Sequence, residues 1–119
     1  MFSTPLDDLE AAAAAVVVFD DGASIARVLA VVDVLMAKSV PAIGSFDAWG
    51  GWQSDDAASL PGWLSHRCGL SGSEANRLAV RAKRLRQLPL TSEAWVEGRV
   101  RSGHVDAVVT NTSARNVAV

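Results

Sequence analysis

Residues 59–89, SLPGWLSHRCGLSGSEANRLAVRAKRLRQLP, decide the fold. Ala75, Leu78, Ala79, Ala82 and Leu85 recur at steps of three and four, the spacing that puts apolar side chains on one face of a helix. Ser71 and Glu74 have the spacing of a capping box, in which each side chain satisfies the other's unpaired backbone amide. The helix is therefore expected from about Gly72 to Gln87, with Pro89 stopping it. Just before it, Ser59 to Cys68 reads as a second helix, with Trp63 and Leu64 facing inward and Gly69 closing it.

Outward from this hairpin the pattern stays helical. Thr4 suits an N-cap, with Pro5 in the first turn followed by acids, and the helix is expected to run to Phe19 before Asp20-Asp21-Gly22. Ser24 is the expected cap of the next helix. Its apolar residues Ile25, Val28, Leu29, Val32, Leu35 and Met36 define the expected buried face. Pro41 should end or kink this helix near Ser39. Gly44, Gly50 and Gly51 then mark a loop-rich junction in which Trp49 and Trp52, with Trp63, pin the loop to the helices. A short helix is expected over Ser92–Glu97, with Trp95 beneath it, and a last one from Gly103 onward. No segment alternates as a strand does, so the class is all-α, a small multi-helix domain with a helix-turn-helix-like hairpin near residues 59–87.

Composition bounds the chemistry. The chain has 119 residues, the length of one domain, and half of them are hydrophobic, which excludes wholesale disorder. A single cysteine excludes a disulfide framework and a multi-cysteine zinc site. The N-terminus lacks the cationic start of a secretory signal. The apolar runs Ala11–Phe19 and Ile25–Met36 are respectively too short and interrupted by Arg27 and Asp33, so no membrane span and a cytoplasmic location are expected. The net charge of −2 conceals a split. Residues 1–62 hold nine acids against Arg27 and Lys38, whereas residues 63–119 hold nine bases against Glu74, Glu93, Glu97 and Asp106. The basic half invites an anionic partner, or else docks against the acidic half.

Arg77, Arg81 and Arg84 form a stripe roughly 130° from the apolar face of their helix, at ~100° per residue. Laid in a major groove, such a helix brings arginines to phosphates or guanine edges. The same stripe is also what a solvated helix surface looks like.

The ordered set Gly51-Trp52, Ser59, Trp63-Leu64, Leu70-Ser71, Ala75, Leu78, Ala82-Lys83-Arg84-Leu85, Leu88-Pro89, Glu97-Gly98-Arg99-Val100 and Gly103-His104-Val105 resembles the actinobacterial domain of unknown function 222. That domain is the N-terminal region of 13E12 repeat proteins and is often followed by an HNH endonuclease domain. Pro41 departs from the continuous helix usual at that point of the family. The family's greater length implies that this chain is a truncated member whose last helix lacks a packing partner and favours self-association. The resemblance implies a non-catalytic, DNA-engaging module. Arg77, Arg81 and Arg84 would be the main phosphate contacts, with Lys83, Arg67 and Arg86 secondary. A protein-interaction or structural helical module, or a non-functional remnant of a repeated gene, are the alternatives.

Catalytic and cofactor readings are weaker. His66, Asn76 and His104 occur in HNH order, but the first two lie on expected helices with no preceding hairpin to converge them on a metal. Cys68 and His66, two apart on one helix, point in different directions, so Cys68 is expected in the core. Asp55-Asp56 lacks further ligands at calcium-loop spacing and reads as a turn. Neither a cofactor, a metal nor a small-molecule substrate is expected.

Overall fold

The computed structural model describes residues 3–111 and divides the chain into two units, Met1–Val31 and Val32–Val119. Its helices are α1 (Pro5–Ala15), α2 (Gly22–Ala48), α3 (Gly51–Ser54), α4 (Leu60–Cys68), α5 (Gly72–Leu85), α6 (Pro89–Val96) and α7 (Ser102–Asn111). No strand occurs among the described residues, so the all-α class holds.

In the first unit, Thr4 caps α1 reciprocally. Its Oγ1 accepts from the Asp7 amide at 3.1 Å, and Asp7 Oδ2 accepts from the Thr4 amide at 2.9 Å. These hydrogen bonds hold the Asp7 carboxyl below its ordinary range. The helix stops at Ala15 rather than Phe19. Val16 turns extended (φ −66°, ψ 141°), because three successive valines lose side-chain freedom in a helix and favour extended backbone. Asp21, not Ser24, caps α2, accepting from the Ser24 amide at 2.7 Å and from its hydroxyl at 3.1 Å. The described part of this unit contains no buried residue.

α2 extends 27 residues and passes through Pro41 instead of ending near Ser39. Its face also differs from expectation. Ile25, Leu29 and Val32 are exposed, while Val28, Leu35 and Met36 are half-buried. The buried residues are Asp33, Ala37, Val40 and Gly44, a stripe about 100° around the helix. Close packing selects the smaller residues here. A Cβ on Gly44 would lie 2.8 Å from Arg86 Cγ and 3.1 Å from the Ala82 carbonyl of α5. By length and composition α2 is also apolar enough to cross a membrane. Within the second unit, however, Ala37 and Val40 sit in a core with residues of α5, α6 and α7.

That core joins Ala37, Val40, Ala82, Leu85, Trp95, Val105 and Val109. A second cluster, Leu60, Leu64, Ala75 and Ala79, packs α4 against α5, and Ile43 and Leu78 touch both clusters. α5 therefore supplies both cores from one face, as its apolar spacing predicts.

The hairpin follows its local signals, except that of the expected Ser71–Glu74 box only the serine half forms among the described residues. The Gly62 amide donates to Ser59 Oγ at 3.1 Å, Gly69 closes α4 at φ 70°, and the Glu74 amide donates to Ser71 Oγ at 3.2 Å. The Ser65 hydroxyl donates to the Leu70 carbonyl at 2.9 Å, tying the connection to α4. α5 ends at Leu85, two residues before the expected Gln87. α6 starts earlier than Ser92 because Pro89 occupies its first turn, where a missing N–H costs nothing.

Trp52 and Trp63 donate to Asp47 Oδ1 and Asp55 Oδ2, each at 2.8 Å, and both pack on the second cluster. Trp49 meets Phe46 edge-on but stays largely exposed. Trp95, expected under α6, is part of α6 and is the largest fully buried side chain. Cys68 is exposed rather than in the core.

Candidate nucleic-acid interface

The six cations expected at the interface do not form one surface. Arg81 turns inward. It pairs with Asp106 of α7, and its guanidinium carbon lies 5.9 Å from the centre of the Trp95 ring. Arg84 Nη1 donates to the Val109 carbonyl in the last turn of α7 at 2.9 Å. Arg86 lies beyond the end of α5 with its stem over Gly44. Arg67 is on α4, 5.9 Å over the Trp63 ring and 3.9 Å from Asp55. Arg77 and Lys83 remain on the exposed side of α5, with no carboxylate at ion-pair distance among the described residues.

The stripe was legible, but its role was not. Arginine has a long apolar stem and a planar multi-donor head, so it can reach a neighbouring helix as readily as solvent. Much of the stripe fastens α7. Asp33 of α2 does the same at the opposite end, where Oδ1 accepts from the Ser102 amide at 2.9 Å. Its Oδ2 takes Trp95 Nε1 and Arg101 Nε, both at 3.2 Å. α7 thus has an acid at its N-terminus and a guanidinium at its C-terminus, the polarity its dipole favours. Burial pushes the Asp33 carboxyl up, but hydrogen bonds from Ser102 and Trp95 and the nearby Arg101 charge outweigh it and leave the group below its ordinary value. Sequence reading missed Asp33 as a functional part of the fold. The one signal was an acid inside an apolar run.

The outward face of α5 is a different set. Ser73, Asn76, Arg77, Val80, Lys83 and Arg84 fall within about 120° of arc and are all exposed. Ser73 Oγ lies 3.4 Å from Ser71 Oγ. Arg77 also edges a shallow hollow shared with Met36, Leu70, Glu74, Leu78 and Arg81. The face therefore offers two unpaired cations, an amide and an apolar side chain on one straight element.

His66, Asn76 and His104 are exposed on α4, α5 and α7 respectively. Asp55 is occupied by Trp63 and Arg67, and Asp56 adopts φ 62°, as a turn requires. No cluster of three or more metal-ligating side chains occurs among the described residues.

These features define an all-α domain whose α4–α5 hairpin presents one exposed helix face. The domain-of-unknown-function-222 family model matches residues 11–118, and the chain belongs to that family. Neither a curated protein nor a solved structure gives a significant match. The family match extends well upstream of Gly51, where the motif set begins, and so takes in α2 with its interior Pro41.

Proposed function

We propose that the chain is a non-catalytic, DNA-engaging helical module whose contact surface is the outward face of α5. The observation that carries this is Arg77 and Lys83 standing on an exposed face with no carboxylate at ion-pair distance among the described residues. A cation without an internal partner gains most from displacing the counterions of a phosphate backbone. The HNH-nuclease association implied by the family resemblance supplies the natural partner for such a module. Arg84 shares the face but is held by α7, while Arg67 and Arg86 stand apart from it.

Anisotropy of a labelled duplex, titrated between ~50 and ~200 mM salt, tests this. The expected result is binding that weakens with salt, and an Arg77→Ala/Lys83→Ala variant whose salt slope falls by about two charges' worth. A folded double variant that binds like the parent would overturn the proposal.

A second reading, a protein-interaction module, is favoured by the first unit. Val16, Val17, Val18, Phe19, Ile25, Leu29 and Val31 are all exposed there, and so many uncovered apolar side chains in one short segment suit contact with another protein.

A further inference from the structure

We infer that α5 is a sequence-reading helix, with Asn76 and Arg77 as the base-reading residues and Lys83 as a phosphate contact; this rests on the DNA-binding reading above. The two ends of the outward face differ in chemistry. Its first two turns carry Ser73, Asn76, Arg77 and Val80, whereas the cations Lys83 and Arg84 follow toward the C-terminal end. Phosphate contacts come from cations and from short polar side chains alike, and they position a protein without carrying sequence information. Asn76 carries a donor and an acceptor side by side, of which a phosphate, itself only an acceptor, would use the donor alone. It is exposed on the face, and no intramolecular hydrogen bond ties its amide among the described residues.

The chemistry of the first two turns matches base edges. A carboxamide pairs in two places with the N6 and N7 of adenine, and a guanidinium with the O6 and N7 of guanine. An aliphatic side chain such as Val80, which is 44% exposed, suits the methyl group of thymine. Residues 73–80 span about 10 Å of helix at 1.5 Å per residue, roughly three base-pair steps at 3.4 Å. The partner is therefore duplex DNA with a short preferred site of mixed adenine and guanine character.

Ala75 and Ala79 pack on α4 and Arg81 and Arg84 fasten α7, so the reading residues stand on an element held at both ends. A face that must present side chains at fixed positions needs that support.

The test is selection by the full chain from a library of duplexes with a randomised core, followed by binding of the selected site and a scrambled one. The expected result is a preference of about ten-fold or more for the selected site. Asn76→Ala should relax one position with the salt slope unchanged, and Arg77→Lys should relax a neighbouring guanine while keeping its charge. Binding with no sequence preference would overturn this inference and leave the DNA-binding reading standing. A preference unaltered by both substitutions would also overturn it, by placing the reading residues elsewhere. No duplex binding by a helical, monodisperse sample would overturn both readings.

Discussion

At the scale of single residues, Asp33 ties α2 to α6 and to the start of α7. It receives the Trp95 indole, the first amide of α7 and Arg101. Asp33→Ala would strand two donors in the interior, at a cost of about 2–4 kcal/mol, measurable by urea unfolding at neutral pH. The folded carboxyl is more acidic than the unfolded one, so its contribution is complete above the unfolded carboxylate range near pH 4. It is lost as the pH falls through the lower folded value. The stability gap between the parent and Asp33→Asn should therefore narrow below about pH 4 and stay constant above it; a gap that widens toward acid would contradict the assigned hydrogen bonds. None of this was legible in the sequence. An acid within an apolar run reads as an interruption until the helix that it caps, 69 residues away, is in place.

At the scale of elements, what could be read was local. Ser59, Gly69 and Ser71 announce the ends of α4 and α5 because a cap is decided by its own few neighbours. The buried stripe of α2 could not be read, because Ala37, Val40 and Gly44 are chosen by how closely α5 approaches, not by their own hydrophobicity. Pro41 read as an ending for the same reason, since packing on both sides of it compensates for a local defect. The arginine stripe was legible as a stripe, while its division into fastening and exposed members required the position of α7. That division predicts opposite phenotypes on one helix. Arg81→Ala should destabilise the fold by about 1–2 kcal/mol through the lost Asp106 pair and Trp95 contact. Arg77→Ala should leave the thermal midpoint nearly unchanged. Equal midpoints for the two variants would show that Arg81 is not part of the fastening.

Across the whole molecule, burial among the described residues is confined to the second unit. α1 has 11 residues and none of them is buried. Helices shorter than ~12–15 residues gain little stability in water without a packing partner. Amide hydrogen exchange at low concentration should therefore find α1 amides weakly protected and those of α5 and α7 strongly protected. Protection of α1 and of the start of α2 that rises with protein concentration would support the protein-interaction reading; strong protection at every concentration would contradict the absence of burial there. The membrane and compartment expectations drew on the same apolar stretches, whose composition alone does not distinguish a span from a face that meets another protein.

The bond from Arg84 to the Val109 carbonyl makes one guanidinium the object of two competing claims. That bond uses one of the five N–H groups of an exposed guanidinium, so an outside anion can share Arg84 with α7 and loosens the helix end only if it draws the side chain away. Where the side chain is drawn away, linkage makes the effect reciprocal: whatever loosens the last turn of α7 frees Arg84 for an anion. Arg84→Lys would leave an ammonium that can hold the Val109 carbonyl but has no planar fork to reach an anion at the same time.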